Sequence, residues 1–161
     1  MLIVLDNVLD ESQRSSTAKY FLANNEARKM TWTYTDLSVI QNDNSILSFL
    51  IKKASKFFDL TSMIGCECWA HFGTYPGMHI DKDEVLQNTA GKLAFPLCSI
   101  VYYADIDVIG GMFFTETISV KPITNRLVIF SPGILHGVEP YRGRRLSIAI
   151  NPWANKPMGY I

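Results

Sequence analysis

At 161 residues, with 48% hydrophobic and 12% aromatic content, the chain is long enough to bury the core of one globular domain and too apolar to be disordered. Fifteen basic and fifteen acidic residues cancel, so no net field draws in nucleic acid or an anionic membrane. The apolar residues 1–5 run straight into Asp6 and Asp10 with no basic segment before them, and no run is long enough to span a bilayer. The expected compartment is the cytoplasm, that of the host if the source is viral.

In chain order, residues 2–5 read as a short strand. Asp10 is a suitable N-cap for a helix running to about Leu22 and closed by Asn24-Asn25. Residues 32–34, with threonines on either side of Tyr34, read as a short extended segment. A second helix follows, with Asn44 as its cap. Its Ile46, Leu47, Leu50, Ile51, Ala54, Phe57 and Phe58 form one apolar stripe, with Lys52, Lys53 and Lys56 mostly off it. Such a helix packs on a sheet.

From Ser62 the hydrophobic period changes from helical to extended. Strands are expected at 63–72, around His79, and at 96–105, 112–117, 118–121, 126–131, 137–139 and 145–151. Turn signals at Pro76, Gly110-Gly111, Pro122, Pro132-Gly133 and Tyr141-Arg142-Gly143 separate them. Residues 82–92, polar and containing Gly91, read as a loop that could serve as a mobile lid. Seven or eight short strands after two helices predict a mainly β sandwich or barrel. The expected organisation is one domain over 1–161, with 1–60 as a helical support and 61–155 as the β core.

Three stretches carry chemistry. On extended backbone, side chains two apart share a face, so His79 and Asp81 can grip one metal ion, and the distant His136 completes two imidazoles and one carboxylate. That set leaves about three of six octahedral positions open, as non-haem Fe(II) oxygenation requires. Alone, the His-x-Asp triplet reads equally as a capped turn or a surface pair. In the last strand Leu146, Ile148 and Ile150 face one way, and Arg145, Ser147, Ala149 and Asn151 the other. A buried guanidinium needs an anion, and its planar fork suits a carboxylate. Pairing with a surface carboxylate is the alternative for Arg145. Cys66, Cys68 and Cys98 read as reduced core residues, since a zinc site wants a fourth sulfur or a clustered histidine.

The ordered set His79-x-Asp81, His136, Arg145-x-Ser147 resembles the Fe(II)- and 2-oxoglutarate-dependent oxygenases, in particular their prolyl-hydroxylase-like group. Ile100-Val101-Tyr102-Tyr103, Gly110-Gly111 and Leu135-His136-Gly137-Val138 fall where that group has similar stretches. The closing Arg145-Leu146-Ser147-Ile148-Ala149-Ile150-Asn151 is similar to small phage and bacterial members. The similarity covers roughly residues 63–153. It implies a double-stranded β-helix, or jelly roll, with catalytic iron on His79, Asp81 and His136. It also implies that the cosubstrate's far carboxylate meets Arg145, Ser147 and Tyr103, and that oxygen is the second cosubstrate. The implied activity is hydroxylation of a prolyl or peptidyl group, or of a small amino acid.

His71 and Trp69 share a face on the preceding strand. His71 reads as a hydrogen-bonded core or rim histidine, and Trp69 as core or as a pocket wall. Two alternatives stay open: a cupin-type metalloenzyme that does not use 2-oxoglutarate, against which the Arg145/Ser147 pair argues, and a non-catalytic jelly-roll binding or structural module. No helical His-Glu-x-x-His occurs to suggest a zinc hydrolase. Asp81 argues for hydroxylation over halogenation, because related halogenases lack that carboxylate.

Overall fold

The computed structural model describes residues 1–23, 33–42, 45–73 and 75–160. Its frame is a six-stranded antiparallel sheet built from β1 (Leu2–Leu5), β2 (Thr33–Asp36), β3 (Gly65–Phe72), β4 (Ser99–Gly110), β7 (Leu127–Phe130) and β9 (Tyr141–Trp153) in the order β1-β7-β4-β9-β3-β2. A second sheet of three short strands, β5 (Phe113–Thr115), β6 (Ser119–Val120) and β8 (His136–Val138), runs in the order β6-β5-β8. Two antiparallel sheets built mainly from the second half of the chain form the expected jelly roll. Among the described residues no helix is long and apolar enough to cross a membrane.

Helices cover the outer face of the large sheet. α1 (Glu11–Ala23) opens on a reciprocal cap: Asp10 Oδ1 accepts from the Gln13 N–H at 2.8 Å, while Gln13 Oε1 accepts from the Asp10 N–H at 3.2 Å. Asn24-Asn25, its expected stop, and Trp32 lie outside the described residues. α2 (Leu37–Asn42) follows β2 directly, and α3 (Ile46–Ala54) buries Leu50, Ile51 and Ala54, part of the stripe read from the sequence. Its cap is Ser45 rather than Asn44, which lies outside the described residues; the Ser45 side chain accepts from the Ser48 N–H. Phe57 falls past the helix end and is exposed.

The N-terminal segment is stitched into the sheet as well as laid over it. β1 pairs with β7, and the buried Asn125 amide donates to the Leu9 carbonyl at 2.9 Å and accepts the Leu9 N–H at 3.0 Å. Asn125 holds a left-handed φ of 67°, which asparagine tolerates through such local hydrogen bonding.

Four sequence expectations are corrected. Residues 82–92 are not a loop: α4 (Glu84–Ala90) occupies them, capped by Asp83 at its start and by Gly91 in the left-handed conformation at its end. Both caps stand in the sequence, but the short helix has no buried residue and so no apolar stripe to betray it. His79 lies on a single bridge to His136 and not on a strand, because residues 75–78, with Pro76 and Gly77, lead into it and the chain turns toward the α4 cap after Asp81. Tyr141-Arg142-Gly143 is no turn; it starts β9, pairing with Gly110, Ile109 and Val108 as a ribbon beyond the barrel. Strand β8 also begins at His136, one residue earlier than expected.

Candidate functional site

The inner face of the large sheet and the small sheet flank a narrow, open-mouthed pocket. His79, Asp81, His136, Arg145 and Ser147 all line it, as do Trp69, His71 and Asn151.

The two ends of the His79/His136 pair come from distant parts of the chain and are fixed by one bridge. His79 N–H donates to the His136 carbonyl, and His136 N–H to the His79 carbonyl, both at 2.9 Å. Nε2 of His79 stands 3.7 Å from Asp81 Oδ1, and Nε2 of His136 stands 3.8 Å from Asp81 Oδ2. One nitrogen or oxygen from each of the three residues falls within 4.8 Å of the others, a spacing that one cation can bridge. Each ring is oriented from behind: Nδ1 of His79 meets the Gly77 carbonyl at 2.7 Å, and Nδ1 of His136 the Ile134 carbonyl at 2.9 Å. A carbonyl accepts only, so Nδ1 carries the proton and Nε2 keeps its lone pair for the pocket. His136 packs between Phe113 (ring centroids 5.4 Å apart) and Phe130 (4.6 Å). That burial lowers its pKa, with Asp81 opposing, and favours the neutral imidazole.

His71 is the chemical opposite. The Trp69 indole N–H donates to His71 Nε2 at 2.8 Å, so the lone pair that the other two histidines hold free is already used. Burial, helped by Arg145 and His79, pushes His71 down to about 4, which keeps it neutral at pH 7. This is the hydrogen-bonded histidine expected from sequence, and it stands outside the three-residue cluster.

At the other end of the pocket Arg145 is 1% exposed. Its Nη1 donates to Ser147 Oγ at 2.9 Å, and its guanidinium stacks over Tyr103 at 5.1 Å and Tyr141 at 5.7 Å. Among the described residues its Nε meets no hydrogen-bond partner and no carboxylate lies within ion-pair distance of it. Among the same residues Tyr103 Oη and Ser99 Oγ are likewise buried without a hydrogen-bond partner. Burial raises the Tyr103 hydroxyl, with the nearby Arg145 charge opposing, so it stays a neutral donor. A buried cation beside an unpaired hydroxyl is costly unless an anion completes it. Arg144, one residue earlier, faces the other way and pairs with Asp105 on the surface at 2.5 Å.

Close backbone approach requires glycine beside this end of the pocket. Gly110 and Gly111 hold φ of 84° and 72°; a side-chain carbon on Gly110 would sit 2.7 Å from the Pro140 carbonyl oxygen, and one on Gly111 3.2 Å from Tyr141 Cβ. The thiols play no part in this site. Cys66 and Cys98 are buried and free, and burial pushes Cys98 up to about 12.

Sequence reasoning placed Asn151 on the polar side of the last strand without giving it a role, and it lines the pocket. Pro76, Phe113 and Val138 also line it and were not anticipated. Only the alternation in Phe113-Phe114-Thr115 hinted at an inward Phe113.

No family model matches this sequence, and neither does any curated protein. Solved structures do match. A prolyl 4-hydroxylase from Pseudomonas putida superposes with a TM-score of 0.68 at 15% identity, covering 96% of this chain and 93% of that one. The viral collagen prolyl hydroxylase of Paramecium bursaria Chlorella virus-1, solved with 2-oxoglutarate, gives 0.65 at 14% identity and 96% of both chains. A Trichoplax adhaerens prolyl hydroxylase, solved with a peptide fragment of the hypoxia-inducible-factor oxygen degradation domain, gives 0.59 at 13% identity, over 99% of this chain and 86% of that one. The chain thus has the jelly-roll fold of prolyl hydroxylases.

Proposed function

We propose that the protein is an Fe(II)- and 2-oxoglutarate-dependent dioxygenase that hydroxylates a prolyl or other peptidyl group, or a small amino acid. One observation carries it: two oriented imidazoles and a carboxylate converge on the same pocket as a buried arginine with no carboxylate partner among the described residues. His79, Asp81 and His136 would hold the iron, and Arg145, Ser147 and Tyr103 the distal carboxylate of the cosubstrate. The donor set fits both groups. Two imidazoles and one carboxylate suit Fe(II) with positions left open, and the orphaned Arg145 Nε and Tyr103 Oη supply the N–H and O–H that a carboxylate accepts.

When bound, this pair of groups with O2 supplies oxidative decarboxylation to succinate and CO2, with one oxygen atom delivered to the substrate. The chain's own residues have narrower tasks. The carbonyls of Gly77 and Ile134 keep the protons of His79 and His136 on Nδ1, leaving Nε2 to bind. Phe113 and Phe130 exclude water from one side of His136. Arg145 and Ser147 fix the direction in which an anion enters. The solved peptide complex of the Trichoplax enzyme supports a peptide as the substrate to try first.

The test is anaerobic loading with Fe(II) and 2-oxoglutarate, exposure to oxygen, and mass spectrometry of proline-containing peptides and free amino acids for a gain of one oxygen. Succinate release that requires His79, Asp81 and His136 is expected. Turnover stimulated only by a methylated nucleobase, a lipid or a sugar would overturn the substrate class and leave the metal and cosubstrate assignments standing.

A further inference from the structure

The three proposed ligands are not held alike. His79 and His136 lock each other through two backbone hydrogen bonds, and each ring has a carbonyl behind it. Asp81 has neither: among the described residues its carboxylate makes no hydrogen bond, and the two imidazole nitrogens at 3.7 and 3.8 Å are its polar neighbours. A ligand with no hydrogen bond of its own is aimed by the backbone on either side. On one side that is the His79 bridge. On the other, two residues on, it is Asp83.

Asp83 is 7% exposed and both its carboxylate oxygens are engaged. Oδ1 accepts the Leu86 N–H at 2.9 Å, capping α4, and Oδ2 accepts the Met158 N–H at 2.7 Å. Its own N–H donates to the Ala94 carbonyl at 2.9 Å. Met158 opens a 3-10 turn, Met158–Tyr160, whose far end packs on the large sheet: Tyr160 stacks near Tyr34 at 5.5 Å and lies beside the buried Glu67. Glu67 in turn accepts the Trp153 indole N–H at 2.8 Å. The turn therefore spans from β2 and β3 to the segment that carries Asp81.

We infer that this C-terminal turn is a positioning element for the metal centre, acting through the Met158 N–H and Asp83 to aim the Asp81 carboxylate. The inference rests on the metal-centre reading above. Asp83 is a positioning residue and not a ligand, since it stands outside the cluster of His79, Asp81 and His136. Losing such outer contacts typically weakens metal binding by about 10–100-fold.

The test separates the N–H from the side chain. Met158→Ala and Met158→Pro both remove the thioether, but only proline removes the donor, and proline is tolerated at the first position of a helical turn. Zn(II) affinity of the full chain is measured by competition with a chromophoric chelator, since two imidazoles alone retain Zn(II). Met158→Pro should bind about tenfold more weakly than Met158→Ala. In an Asp81→Ala background the two should bind alike, because the carboxylate they position is gone. Equal affinities in the Asp81 background of the natural chain, or the same weakening without Asp81, would overturn the inference. If Met158→Pro does not fold, Asp83→Ser replaces it: serine keeps the α4 cap but has no second oxygen for Met158, so the same weakening with α4 intact is expected, and unchanged binding refutes it. Zn(II) affinity left unchanged by both His79→Ala and His136→Ala would instead refute the metal centre itself.

Discussion

Strand β9 sends Leu146, Ile148 and Ile150 into the helix-covered core and Arg145, Ser147 and Asn151 into the pocket. All six are buried, yet the two faces obey different rules. On the core face Leu50, Ile100 and Leu127 close around the aliphatic side chains, and the buried Tyr102 hydroxyl among them donates to Asn125 Oδ1 at 3.3 Å. On the pocket face one arginine nitrogen and the Tyr103 hydroxyl remain unsatisfied. Equal burial therefore does not mean equal purpose: one face stabilises the fold, while the other retains a polar cost that a bound anion can offset.

The sharpest way to break this comparison is Arg145→Met. Losing one partner of a buried charge pair costs about 3–5 kcal/mol, so 2-oxoglutarate affinity should fall by about two to three and a half decades. Because no carboxylate among the described residues pairs with Arg145, the ligand-free Tm should hold or rise. A large loss of Tm would mean that the pocket face is structural after all.

The converse change is Ile148→Ala on the core face. It should cost about 2–5 kcal/mol of stability, read from urea unfolding, while 2-oxoglutarate affinity in the folded protein changes little. Arg144→Ala sharpens the parity: its side chain is exposed and paired with Asp105, so both affinity and Tm should stay near those of the unsubstituted chain. Equal effects at 144 and 145 would place the strand one residue out of register.

The smallest effect concerns the core face alone. Burial raises the Cys98 thiol to about 12, above an unfolded value of about 8.5. The unfolded chain then releases its proton first, so this stabilising contribution is complete below about pH 8.5 and is lost as pH rises toward 12. Native Cys98 should resist alkylation at pH 8 and react on unfolding, and urea midpoints should decline above pH 9. Rapid native labelling of Cys98 would contradict its place in the core.

Much of this was legible in the residues because alternation on a strand is local. The parity of 145–151 sorted Arg145 and Ser147 from Leu146 and Ile148, whereas His79 and Asp81 converge without the strand that their spacing suggested. The capping signals at Asp83 and Gly91 were present too, but without an apolar stripe they did not outweigh the polar composition of 82–92.

By itself, then, the sequence determined which side chains share a face, since that follows from backbone geometry over two or three residues. Tertiary structure alone decided what those faces meet. The bridge that joins His79 to His136 closes a gap of 57 residues, which no local period encodes. The irregularity between Tyr103 and Asp105 shifts the register of β4 against β9, so that Tyr103 faces Ser147 and Ile106 faces Arg145. The Met158–Asp83 hydrogen bond ties residues 75 apart. Such contacts depend on how the whole chain closes, because each forms only after the sheets, helices and terminal turn have packed together.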